Sequence, residues 1–153
     1  MFSILRKKPQ QYFTESQQQD IVAAIQSAEK NTSGEIRLFI ESHCRFVDPI
    51  DRAKELFDGL EMEKTLLRNG VLVYIAIKDR QLAVYGDEGI HQKVGVSFWE
   101  KEIAYLLSHF KQENYVVSII KVIIEIGEVL HSHFPYDPNT DKNELPDEIV
   151  FGK

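Results

Sequence analysis

The longest unbroken apolar run lies near the middle of the chain, where Val71, Leu72, Val73, Tyr74, Ile75, Ala76 and Ile77 follow one another without a polar break. A strand with one wet face alternates, so this run predicts a strand buried on both faces, the central strand of a sheet. Lys78, Asp79 and Arg80 interrupt it before Gln81, Leu82, Ala83, Val84 and Tyr85 resume, which predicts a hairpin with a short polar loop. The open end of that hairpin brings Asn69-Gly70 beside Gly86-Asp87-Glu88-Gly89. Both are glycine-bearing turns, where backbone can approach a ligand closely.

Upstream, Phe13 precedes the capping-box pattern Thr14-x-x-Gln17, and Ile21, Val22, Ile25 and Ala28 recur at helical spacing until Asn31, Thr32, Ser33 and Gly34 stop them. Residues 35–41 then alternate in their first half, predicting a strand with one face better covered than the other. Asp48-Pro49 is placed to start a helix with Ile50, Ala53, Leu56, Phe57 and Leu60 on one face. A strand–helix–strand unit of this kind predicts a right-handed crossover between parallel strands, with the hairpin adding an antiparallel edge strand. Downstream, Ser97 is the expected cap of a helix carrying Phe98, Trp99, Ile103, Leu106, Leu107 and Phe110. Residues 115–134 read as a long helix that Pro135 ends. Residues 1–12 read as a flexible terminus and 13–135 as one domain. Residues 136–153 read as an acidic, irregular tail that packs only through Leu145, Ile149, Val150 and Phe151. The predicted class is α/β, a small mixed sheet with helices on both faces.

A chain of 153 residues is long enough to bury a real core without staples. Its 18 basic and 24 acidic residues leave a net charge of −6, which argues against a surface selected for nucleic-acid phosphates or anionic lipid and suits cations, basic partners or plain solubility. Cys44 is the sole cysteine, so no intramolecular disulfide forms. No apolar run approaches the ~20 residues of a membrane span. The start has its apolar residues before its basic ones, the reverse of a signal peptide, so a cytoplasmic setting is expected.

Candidate chemistry collects at one place. If the strand order is first, central, hairpin, then Ser33 and Glu35, Asn69, and Asp87 with Glu88 share one edge of the sheet. Calcium takes six to eight hard oxygens, including carbonyls of tight turns, so Asp87, Asn69, Glu35 and Glu88 form a candidate set. The alternative is that these are turn residues, with Glu35 solvated at a strand end. A second, weaker acidic cluster comprises Asp48, Asp51 and Asp79, although Asp51 also suits a helix start electrostatically. In the tail, Asp137, Asn139, Asp141 and Glu148 match the first, third, fifth and twelfth positions of an EF-hand loop. Lys142 stands where that loop needs glycine, which favours a solvated tail. His131 and His133 diverge on their helix, and His43 and Cys44 point to opposite faces of a strand, so neither pair makes a catalytic or metal dyad.

Several short motifs occur together in order: Phe13-Thr14, Thr32-Ser33-Gly34-Glu35-Ile36-Arg37, Asp51-Arg52-Ala53-x-x-x-Phe57, Thr65-x-x-x-Asn69-Gly70-Val71-Leu72, Gly86-Asp87-x-Gly89-Ile90 and Phe98-Trp99. Over residues 13–134 the chain resembles the TPM domain family, and Asn143-Glu144-Leu145-Pro146-Asp147-Glu148-Ile149 resembles the close of its short soluble bacterial members. The resemblance implies a Rossmann-like three-layer α/β/α sandwich, binding of calcium or magnesium, and a phosphatase label taken from plant relatives. Two functions follow as expectations. The favoured one is a non-enzymatic module that binds a divalent cation and docks a protein partner at the filled site or the hairpin edge. The alternative is a metal-dependent phosphatase, in which Arg37 and Arg68 would meet the phosphate.

Overall fold

The computed structural model describes residues 7–110, 115–138 and 149–153. Four strands, β1 (Glu35–Glu41), β2 (Gly70–Ala76), β3 (Gln81–Gly86) and β4 (Ile149–Phe151), form one sheet in the order β3-β2-β1-β4. β1 and β2 run parallel in register from Glu35 opposite Gly70 to Glu41 opposite Ala76. The crossover between them carries α2 (Pro49–Gly59), and β3 returns antiparallel to β2 as the expected hairpin. The central position of residues 71–77 is as the apolar run requires, since all of β2 is buried.

The pleat divides the core in two. Ile36, Leu38 and Ile40 of β1 join Val71, Val73, Ile75, Leu82 and Val84 in the larger core. That core lies beneath α1 (Glu15–Glu29), α4 (Val96–Phe110) and α5 (Tyr115–His133). Phe39, Leu72, Tyr74, Ala76 and Ala83 face the other way and pack with Ala53 and Phe57 of α2. Helices thus cover both faces. The first helix starts as its capping box demands: the Thr14 hydroxyl accepts from Gln17 N at 3.0 Å, and Gln17 Oε1 accepts from Thr14 N at 2.9 Å.

Five local features depart from the sequence pattern. β1 is buried along its whole length, so its polar alternation marks a buried polar lining beneath α2 and not a wet face. There Glu41 accepts from Arg52 Nε at 2.9 Å, from Arg52 Nη2 at 3.0 Å and from the Tyr74 hydroxyl. The short helix α3 (Glu88–Val94) occupies what reads as a glycine turn, because Asp87 is its N-cap. α4 begins at Val96, one residue before its expected Ser97 cap, following Gly95 at φ 76°. Ile149–Phe151 in the tail form β4, parallel to β1 with Leu38 opposite Ile149. Pro9–Tyr12 make a 3-10 turn with Pro9 buried. Of the EF-hand-like positions, Asn139, Asp141, Lys142 and Glu148 lie outside the described residues.

Candidate functional site

The glycine corner is built by the strands themselves. Glu35 N donates to the Asn69 carbonyl at 3.4 Å and Asp87 N to the Gly70 carbonyl at 2.9 Å, so the starts of β1 and β2 and the exit of β3 meet at one edge. Glu35, Asn69, Asp87 and Glu88 are therefore brought to the same corner by backbone pairing. Gly89 closes it. Its N–H donates to the Arg68 carbonyl at 2.8 Å, and a Cβ there would lie 2.2 Å from the Leu67 carbonyl oxygen and 2.6 Å from that of Arg68. Only glycine lets the first turn of α3 approach the 65–69 loop so closely.

Asp87 is 2% exposed and its Oδ1 accepts from Glu88 N at 2.8 Å, satisfying the start of α3. Its charge is balanced by Arg68, whose Nε reaches Oδ2 at 2.7 Å and whose Nη2 reaches Oδ1 at 2.9 Å. Arg68 Nη1 also lies 3.3 Å from Glu88 Oε1. The bidentate bond to Asp87 holds the guanidinium above its ordinary pKa. Arg68 itself sits in the left-handed region at φ 53°, and its side chain is 42% exposed. Asn69, 1% exposed, donates from Nδ2 to Ser33 Oγ at 3.2 Å, while its Oδ1 is buried with no hydrogen-bond partner among the described residues.

The two expectations for this corner therefore compete: the arginine expected to meet a phosphate is bonded to the aspartate expected to meet a cation. Arg37 lies two residues beyond Glu35 on the same face of β1 and is buried. The weaker cluster is not assembled as a set. Asp48 and Asp51 are exposed at the start of α2, whereas Asp79 Oδ1 bonds His43 Nδ1 at 2.7 Å and Oδ2 accepts from Cys44 N at 2.8 Å. Among the described residues no group of three or more His, Cys, Asp or Glu side chains is arranged to hold a metal ion. Any cation at the corner thus needs Asn69 or backbone oxygens beside its carboxylates.

A groove of about 610 Å³ runs from this corner along β3, lined in part by Ile50, Arg68, Tyr85, Asp87, His91 and Trp99. Trp99 Nε1 donates to His91 Nδ1 at 3.0 Å, tying α4 to α3. One buried group escaped the sequence reading altogether. Glu102 follows Trp99 by three residues and precedes Leu106 and Phe110 at helical spacing, and all four are buried. Plotting Glu102 on that stripe would have placed it inside.

The motifs between Phe13 and Trp99 all lie within the described fold, whereas residues 143–148 lie outside the described residues, and a family model for the TPM domain matches residues 7–129. The chain belongs to the TPM domain family. It is similar to the BA42 protein of the psychrophilic bacterium Bizionia argentinensis, whose NMR structure shares 39% identity at a TM-score of 0.83, covering 92% of this chain and 95% of that one. The N-terminal domain of the cg2496 protein from Corynebacterium glutamicum has the same fold, with 16% identity and a TM-score of 0.61 over 77% of this chain and 74% of that one. No curated protein matches the chain. No helix among the described residues is long and apolar enough to cross a membrane.

Proposed function

We propose that this TPM domain is a non-enzymatic module that binds a divalent cation, calcium or magnesium, at the glycine corner. The carrying observation is the buried Asn69 Oδ1, which lacks a partner among the described residues at the edge where Glu35, Asp87 and Glu88 converge. A buried amide oxygen without a hydrogen bond costs roughly 1–3 kcal/mol, and a hard cation bound beside the carboxylates offsets that cost. Asp87 and Glu88 would supply charge, and Asn69 and Glu35 neutral and charged oxygens. Arg68 is then the counter-charge of the cation-free state: half-exposed, it can leave Asp87 when the cation arrives. The outer edge of β3, unpaired among the described residues, and its groove give a protein partner a place to add.

Melting curves with and without calcium test this reading. A ligand at one hundred times its Kd adds ~2.7 kcal/mol to stability, so the midpoint of the native protein is expected to rise by several degrees. Asp87→Asn is expected to abolish the rise. Arg68→Gln is expected to melt lower without cation and to gain more from calcium than the native protein, because the competing charge is gone. Equal calcium increments in all three proteins would reject the corner. Phosphate-ester turnover that requires the metal and vanishes in Asp87→Asn would establish the hydrolase instead.

A further inference from the structure

The end of the sheet opposite the corner has the reverse charge. Because β1, β2 and β4 are parallel, their carboxyl ends lie together. There Lys78 N donates to the Ser42 carbonyl at 2.9 Å and Ser42 N to the Lys153 carbonyl at 3.0 Å. Outside these strand ends opens a cavity of about 750 Å³, lined by Lys7, Lys8, Ser42, His43, Arg45 and Lys78 among others, with no Asp or Glu among the described residues of its wall. On a chain of net charge −6 this concentration of cations is not a consequence of composition.

Of these cations only Arg45 has a carboxylate in electrostatic reach among the described residues, Asp79, which is already hydrogen-bonded elsewhere. Lys7, Lys8, Arg45 and Lys78 make no salt bridge among the described residues, in contrast to Arg52, Lys64, Arg68 and Lys121. Like charges gathered in one cavity repel, so an arrangement that keeps them together unneutralised has a standing deficit that an anion removes. The segment bearing Lys7 and Lys8 is held by its own turn and by α5: Pro9 is buried, Lys8 N donates to Gln11 Oε1 at 2.6 Å, Lys7 Nζ lies 4.7 Å from the centre of the Tyr12 ring, and the Tyr115 hydroxyl donates to the Tyr12 carbonyl at 2.9 Å. The nearby acid, Asp79, is occupied by His43 Nδ1 and Cys44 N, which leaves His43 Nε2 free of that bond. The Ser42 hydroxyl makes no hydrogen bond among the described residues.

The position is also the one that topology favours. From β1 the chain crosses by α2 to β2 on one side, while β4 flanks β1 on the other, so the cavity lies at a switch point of strand order outside the carboxyl ends. Open α/β sheets bind ligands in such crevices. We infer that this cleft binds a phosphate-bearing anion carrying two or more negative charges, gripped by Lys7, Lys8, Arg45 and Lys78 with Ser42 and His43 as hydrogen-bond partners. The phosphate arrives on a free solute or on a lipid headgroup. Phe46, fully exposed at φ 78° beside Arg45, separates these sources, because it would enter a bilayer but touches no solute in the cleft.

The test is an amide NMR titration with inorganic pyrophosphate, paired with sedimentation on phosphatidylcholine vesicles with and without phosphatidic acid. Saturable shifts are expected at Ser42, His43, Lys78 and Gly152, with Gly86 to Gly89 unmoved. Arg45→Ala/Lys78→Ala is expected to weaken pyrophosphate by about tenfold or more, equivalent to ~1.4 kcal/mol, and exposed Arg45→Ala alone gives a smaller loss should the double variant misfold. Vesicle binding that needs phosphatidic acid and is lost in Phe46→Ser would assign the lipid source. Pyrophosphate binding without vesicle binding would assign the free solute. No saturable shift at millimolar pyrophosphate together with no vesicle binding would overturn the inference, as would pyrophosphate shifts unaffected by Arg45→Ala and the double variant.

Discussion

Gly89→Ala is expected to lower the melting midpoint by roughly 6–12 °C, a loss of about 3 kcal/mol or more at 2–4 °C per kcal/mol for a chain of this size. Helix propensity alone gives the opposite sign, because alanine within a helix is favoured over glycine by ~1 kcal/mol. The contact decides. A methyl group placed 2.2 Å from the Leu67 carbonyl oxygen and 2.6 Å from that of Arg68 meets backbone, which has no rotamer to yield. Either α3 moves away from the 65–69 loop or the loop moves, and both break the 2.8 Å bond from Gly89 N to Arg68 and loosen the Arg68–Asp87 pair. Calorimetry of the two proteins measures it; an unchanged or higher midpoint would show that the close approach is not what the glycine serves.

Glu102→Gln is expected to stabilise the protein at pH 9 and to leave it unchanged near pH 4. Glu102 is 1% exposed on α4 among Trp99, Leu106 and Phe110. Burial, reinforced by the neighbouring Glu125 carboxylate on α5, pushes its carboxyl up to about 8 against the opposing pull of Lys101 and Lys121. With the folded value above the unfolded one, the native state holds the extra proton between the ordinary carboxylate range and pH 8. Stability is therefore full below that range, declines as pH rises through it to about 8, and is flat beyond. Each unit of displacement is worth ~1.4 kcal/mol, so the decline attributable to this residue is at most ~5 kcal/mol. Glutamine keeps the shape and removes the titration. Midpoints measured from pH 4 to 9 should diverge by roughly 5–10 °C at the alkaline end. Parallel curves would mean that Glu102 ionises without cost inside the fold.

Both residues show where a sequence stops being legible. The β1–β2–β3 order, the crossover helix and the hairpin follow from one apolar run and two turn signals, since burial on two faces and chain reversal each leave a local composition. That order brought Glu35, Asn69, Asp87 and Glu88 to one edge as expected. What pattern could not carry was pairing between side chains distant in sequence. Arg68 neutralises Asp87 across 19 positions, and Glu41 meets Tyr74 across 33. The polar residues of β1 suggested a less covered face because alternation does not distinguish water from a buried ion pair. β4 is three residues long, too short for any periodicity to show, and its place is set by Leu38, Phe39 and Ile40 on a distant strand. The basic cleft is gathered from four separate stretches, 7–10, 42–45, Lys78 and 152–153, none of which is a motif alone.

The most direct measurement of the cation reading is an amide NMR titration of metal-free protein with calcium and, separately, magnesium. The expected result is saturable shifts centred on Asn69, Gly70 and Gly86 to Gly89, with the Arg68 guanidinium signal changing in step as it leaves Asp87 and the cleft at Ser42 and Lys78 unmoved. Silence at the corner up to millimolar metal, or shifts spread evenly over the acidic surface, would contradict a built cation site there.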